Sequence, residues 1–239
     1  MDTTNSQYRL TVRILLRMGM IINIIKGCCQ RGASVLSPIK LIEKIYTAAG
    51  RVTVEDLLSR SDYQALRRDL LRLVLSHKRK RRVRLDDNLS IVFENRLTAW
   101  LQAQEELRWL SRPDPRDIDD ILERANQLVA EPGHLTATIF VDGAHRLAVS
   151  GYVAAIATHE FDLGVHFDGH IMEGQFVEAP HEGWSTVHPL RFRPTVREAE
   201  QPAIFWGNGT TQAISLPNYV QTALGMDLKR SPTPYFLFA

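Results

Sequence analysis

Seven of the eight histidines fall within residues 134–188: His134, His145, His159, His166, His170, His181 and His188. Imidazole changes charge near neutral pH and ligates metals through a ring nitrogen, so this cluster is a candidate for acid–base or metal chemistry. Between Phe161 and Ile171 the residues alternate. Phe161, Leu163, Val165, Phe167 and Ile171 take one face. Asp162, His166, Asp168 and His170 take the other. On a single strand His166, Asp168 and His170 share a face at steps of about 7 Å. Imidazoles with a carboxylate can hold zinc or iron. His166-Phe167-Asp168 matches the first part of a two-histidine-one-carboxylate iron site. His188 would supply the second imidazole, and Arg191 or Arg193 an anionic cosubstrate. The plainer expectation is the polar face of a half-buried strand, with no cofactor. Asp168-Gly169 is also a hairpin dipeptide, and a turn there splits the strand.

The second candidate chemistry is phosphate binding. Six of the seven residues Lys78-Arg79-Lys80-Arg81-Arg82-Val83-Arg84 are basic. Gln64, Arg67, Arg68 and Arg72 precede them at helical spacing. Cations near phosphates release condensed counterions, and Arg and Gln can also read base edges. The net charge of +2 hides this feature. Residues 1–111 carry 20 Lys+Arg against 11 Asp+Glu, and residues 112–239 carry 9 against 16. The halves stand at +9 and −7 and are expected to meet different partners.

Other templates are missing. The chain has no phosphate-cradling Gly-rich loop, no Gly-x-Ser-x-Gly elbow and no His-Glu-x-x-His pair. Two cysteines cannot build a disulfide framework. Cys28 and Cys29 are adjacent and are expected as thiols. With 44% hydrophobic and 23% charged residues, the composition is that of a folded chain.

Periodicity supplies the elements that position these residues. Arg9, Arg13 and Arg17 form one stripe on an otherwise apolar helix over residues 6–27. That helix packs into the core or on a dimer partner, reaches phosphate as an arm, or lies on a membrane surface. Ser37-Pro38 opens a helix that Gly50 stops. Thr53 and Asp56 make a capping box for a short helix to Ser59. Ser61 and Gln64 make another, for a third helix with Tyr63, Leu66, Leu70, Leu73 and Val74 on its buried face. Val83 and Leu85 are extended, Asp86-Asp87-Asn88 turns, and residues 90–93 are extended again.

This order of helix, stub, helix, helix, strand, turn and strand over residues 36–95 resembles a winged helix-turn-helix domain. The resemblance implies that the third helix enters the DNA major groove. Gln64, Arg67, Arg68 and Arg72 would then face bases, with Lys78, Arg79, Lys80, Arg81, Arg82 and Arg84 on the backbone or wing contacts. Many winged helices bind only proteins, and that alternative stays open.

Helices follow over residues 96–110 and from Asp114-Pro115 to Glu131, with a break at residues 111–115. The remainder reads as strands. Residues 135–141 lead to a hairpin at Asp142-Gly143, residues 147–158 are ambiguous, and a hairpin turns at Gly207-Asn208-Gly209. A short helix runs from Asn218 to Leu224. The expected architecture is α+β, a helical N-terminal half with a winged helix and then a mainly antiparallel β-rich C-terminal domain. Its parts are an N-terminal helix (1–35), a winged-helix domain with a following helix (36–111), a connector helix (112–133) and a C-terminal α+β domain (134–239).

The leading expectation is a non-enzymatic nucleic-acid-binding protein. Duplex DNA is favoured, RNA remains open, and the protein acts as a regulator or as a subunit of a larger complex. Protein partners or self-association would use the N-terminal helix and the C-terminal domain. The alternative is an enzyme acting on nucleic acid through the His/Asp site. No apolar run reaches the roughly 18–20 residues that span a membrane. Arginines interrupt any signal-peptide core, so a cytoplasmic protein is expected.

Overall fold

The structure, a computed structural model, describes residues 37–143, 146–177, 185–197, 201–207 and 209–230. The expected N-terminal helix, Cys28, Cys29, His145, His181, Asn208 and the aromatic end at residues 235–238 lie outside the described residues.

Helix α1 is Pro38–Thr47, with proline in its first turn as expected. The expected second helix is a single 3-10 turn, Val54–Asp56. Its capping box forms, because the Thr53 N–H donates to Asp56 Oδ2 at 2.8 Å. Asp56 is also drawn away by Arg96, whose Nη2 lies 2.5 Å from the same oxygen. The backbone leaves the helical region at Leu57, with φ −77° and ψ 137°. Arg96 also donates to the carbonyls of Ile45, Gly50 and Arg51. One buried guanidinium thus pins the end of α1 and the 3-10 turn to the helix that carries it.

Helix α2 is Arg60–Arg79. Its cap is Ser59, whose hydroxyl accepts the Asp62 N–H, rather than the expected Ser61. Helix α3 is Arg96–Trp109, capped by Asn95 and Thr98. Helix α4 is Pro115–Asn126, capped by Asp114 and Asp117. These four helices enclose one apolar core that includes Leu41, Ile45, Tyr63, Leu70, Trp100 and Leu122.

The strands are β1 (Arg82–Arg84), β2 (Leu89–Glu94), β3 (Leu135–Val141), β4 (Asp162–Phe167), β5 (His170–Phe176), β6 (Val187–Arg197), β7 (Ala203–Gly207) and β8 (Thr211–Ser215). They form one antiparallel sheet in the order β1-β2-β3-β6-β5-β4-β7-β8. Asp142-Gly143 is not a hairpin: β3 is followed by helix α5, Arg146–Ala157. Helix α6, Asn218–Arg230, continues through Gly225. Both helices add to a second core, with Val153, Ile156, Val220 and Leu224 against Ile91, Ile139, Val165 and Phe192 of the sheet.

The winged-helix reading is overturned by this topology. Its second helix is one 3-10 turn, so there is no helix-turn-helix pair. Its wing is not free either. All six residues of β2 are buried, and the strand is paired on both sides, by β1 and by β3. The fold is α+β, with a helical layer and an eight-stranded sheet whose strands come from both sides of the break at residues 111–115.

Candidate functional site

The basic segment occupies α2 and its direct continuation into β1. At 20 residues α2 is about 30 Å long. Spacings of three and four place Gln64, Arg68, Arg72, Ser76 and Arg79 along one outward stripe. Gln64, Arg68, Arg72 and Arg79 are exposed or nearly so, as are Lys80, Arg82 and Arg84. Arg68 and Arg72 approach Asp69 only at 3.8 and 3.7 Å. Arg84 donates to the carbonyls of Asp86 and Asp87 in its own turn. Arg82 lies across the Phe140 ring, 4.9 Å from its centroid.

Three cations expected at a nucleic-acid surface are instead committed inside the protein. Arg67 makes a two-pronged contact with Glu105: Nε to Oε1 at 2.7 Å and Nη2 to Oε2 at 2.9 Å. The Tyr63 hydroxyl donates to the same Oε1 at 2.7 Å. Burial alone would push the Glu105 carboxyl up. Hydrogen bonds from Arg67 and Tyr63 and the nearby guanidinium charges outweigh it, so its pKa is lowered. Burial and the Glu105 charge raise Tyr63.

Lys78 and Arg81 join a second polar network where the helical layer, the sheet and α6 meet. The Lys78 ammonium donates to Glu94 Oε1 at 3.1 Å. The Thr138 hydroxyl donates to the same oxygen at 3.0 Å, diagonally across the β2–β3 pair. Glu94 Oε2 is buried and has no hydrogen-bond partner. Arg81 is fully buried. Its Nη1 lies 2.6 Å from Asp227 Oδ2 of α6, close enough for an ion pair but outside hydrogen-bond geometry. Its Nε donates to His77 Nε2 at 2.8 Å. A guanidinium only donates, so that imidazole nitrogen accepts and the ring proton sits on Nδ1. Asn95 Nδ2 lies 3.1 Å from the same nitrogen, and Tyr46 meets the ring edge-on at 5.2 Å.

Next to this network is a cavity of about 190 Å³, whose lining includes Tyr46, Glu94, Asn95, His134 and Asp227. Of these residues only His134 belongs to a feature the sequence marks, the cluster of seven histidines. The nearest signals are Glu94, a lone carboxylate closing the apolar strand LSIVFE, and the spacing of four between His77 and Arg81.

The histidine candidates are not gathered on one face. Asp168 and Gly169, both at positive φ (54° and 74°), form the β4–β5 turn. Phe167 pairs with His170 and His166 with Ile171, so the two histidines point to opposite sides of the sheet. His166 packs edge-on to Phe205 at 4.9 Å. His188 is buried on β6, with Nε2 3.0 Å from the Ser185 carbonyl, and burial lowers its pKa. The single-strand arrangement expected for zinc or iron therefore does not form. Among the described residues no group of three His, Cys, Asp or Glu side chains is placed to hold a metal.

Residues 51–229 match a family described as a protein of unknown function, DUF3501. The chain belongs to that family. The DUF3501 match takes in His77, Lys78, Arg81, Glu94, Thr138 and Asp227 but not Tyr46. A crystal structure of a novel protein of unknown function from Burkholderia pseudomallei is similar, with TM-score 0.62 and 22% identity. The alignment covers 75% of this chain and 100% of that one. Neither match is described as a winged helix. No curated protein matches the sequence. No described helix is long and apolar enough to cross a membrane.

Proposed function

We propose that this protein binds nucleic acid, as duplex DNA in the first instance, through the outward stripe of α2 and the edge strand β1. The observation that carries the reading is the set of exposed cations Arg68, Arg72, Arg79, Lys80, Arg82 and Arg84 along α2 and β1. Between positions 68 and 79 the helical part of this set extends about 16 Å, enough to follow several phosphates of one strand. Contacts of this type position a protein on the backbone without reading sequence. The reading therefore implies general affinity, with any sequence preference supplied by a partner. A cytoplasmic subunit of a nucleoprotein complex fits that chemistry.

The test is a salt-titrated shift assay on duplex DNA with the triple variant Arg72→Glu, Arg79→Glu, Lys80→Glu. All three side chains are exposed. Arg81 is left intact because it is buried. Affinity should fall at least tenfold at about 0.1 M salt, and the log–log salt slope should shrink by roughly 0.9 for each phosphate no longer neutralised. Unchanged affinity and slope in a folded variant would overturn the reading.

A further inference from the structure

Where α2 hands over to β1, two donors converge on one ring nitrogen. His77 Nε2 accepts from Arg81 Nε at 2.8 Å and from Asn95 Nδ2 at 3.1 Å. The Asn95 amide is fixed in that sense, because its Oδ1 accepts the Thr98 N–H in the cap of α3. A guanidinium keeps its protons at any ordinary pH. Nε2 must therefore stay bare for this arrangement to exist. A proton there sets N–H against N–H on both sides. Arg81 has no exposed surface, so its Nε cannot turn to water instead.

The same guanidinium holds α6. Its Nη1 lies 2.6 Å from Asp227 Oδ2, in the last turns of that helix. Earlier in α6, Val220 and Leu224 are fully buried in the sheet core. Beyond Leu224 the grip is thinner, since Met226 is half exposed and Leu228 only partly buried. Gly225 lies between the two parts. A Cβ there would meet nothing within 4 Å, so packing does not call for glycine. Glycine weakens a helix interior. The helix thus has a soft point just before the residue that Arg81 holds.

The surrounding charges set the sign. The network contains Lys78 and Arg81 from the end of α2 and just beyond it, Glu94 from the end of β2 and Asp227 from α6. Helix α1 contributes Tyr46, edge-on to the His77 ring at 5.2 Å. Arg96 of α3 is paired with Asp56, and Glu131 and His134 line the adjoining cavity. Lys78 and Arg81 each face a carboxylate, so the network balances while the ring is neutral. A protonated His77 adds a positive charge beside Arg81.

We propose that His77 is a proton-sensitive latch for the last turns of α6. At neutral pH the bare Nε2 orients Arg81, and Arg81 holds Asp227. As pH falls, protonation of Nε2 breaks both hydrogen bonds, Arg81 is displaced, and residues 225–228 loosen about Gly225. Asp227 and Leu228 form part of the cavity wall, so the movement widens that cavity in acid. The latch is independent of the nucleic-acid reading.

The experiment follows the full chain by NMR from about pH 7.5 to about pH 4.5, across the ordinary range of histidine. Protection of the amides of residues 225–228 against hydrogen exchange should fall at least tenfold, while amides of β2 and β3 keep theirs. His77→Gln places a carbonyl oxygen where Nε2 stood, which accepts both donors and takes no proton. The fall should shrink below threefold in that variant, and the remainder measures the carboxylates. Ring nitrogen shifts of the wild type report the same event directly, so the test survives if His77→Gln fails to fold. Nε2 should carry no proton at the start, and its protonation midpoint should coincide with the loss of protection. The proposal is overturned if Nε2 is protonated at the start, if it takes up no proton by the end, if residues 225–228 keep their protection as it does so, or if folded His77→Gln loses protection as wild type does.

Discussion

Two buried carboxylates separate the structural part of this molecule from the part with unused chemistry. Glu105 and Glu94 are 2% and 4% exposed, and each sits beside a cation from α2. Glu105 has both oxygens engaged, with Arg67 in a fork, Tyr63 on Oε1 and Arg108 3.6 Å from Oε2. At Glu94 one oxygen accepts two hydrogen bonds and the other, equally buried, accepts none. Burial and charge pairing alone do not distinguish a closed brace from an open one. The filling of hydrogen-bonding positions does. A closed network fixes α2 on α3, whereas an open one leaves a buried acceptor unsatisfied inside the fold.

The largest effect that would test this contrast is at Glu105. Glu105→Ala should cost about 3–5 kcal/mol in urea unfolding, because it strands Arg67 and the Tyr63 hydroxyl. Its lowered pKa sets the sign of the pH dependence. The folded carboxyl binds its proton less readily than the unfolded one, for which the ordinary value is roughly 4.3. The stabilisation is therefore present above that value and lost as pH falls through the folded pKa. Glu105→Gln should remove that acid-side slope. A smaller loss, about 1–3 kcal/mol, is expected for Glu94→Gln, which removes a charge already half unused. If Glu94→Gln proved as damaging as Glu105→Ala, the contrast would collapse. The smallest effect is expected at Tyr63→Phe, about 0.5–1.5 kcal/mol by the same denaturation, since Arg67 still holds both Glu105 oxygens.

Local structure was largely legible in the sequence, and partnership was not. Ser37-Pro38, Thr53 with Asp56 and Asp114-Pro115 marked real starts because capping depends on neighbours a few residues away. The hairpin at residues 82–94 was also visible. Whether it stood free as a wing or entered a sheet depended on residues 135–141, which periodicity within β2 cannot reveal. The hint was LSIVFE itself, too uniformly apolar for an exposed wing. At the histidine candidates the decisive dipeptide, Asp168-Gly169, was in plain view, and its turn chemistry prevailed over the alternation around it. The basic run read as one surface because sequence shows charge without its partners. Arg67, Lys78 and Arg81 proved to face Glu105, Glu94 and Asp227, which lie 16 to 146 positions away in the chain. The lining of the cavity draws on α1, β2, the segment before β3 and α6, so no single stretch could announce it.

The insertion of α3 and α4 between two adjacent strands has a further consequence. Strands β2 and β3 pair over six residues, yet forty residues separate Glu94 from Leu135. The centre of the sheet therefore closes around a long excursion, a non-local step that slows folding. The excursion reaches the surface at Arg112, Pro113 and Asp114, which are exposed. A single backbone cut there would leave two pieces, each holding part of both apolar cores and one side of the β2–β3 ladder. Such pieces should remain associated after cleavage and reassemble from separate chains, as halves of a split protein do.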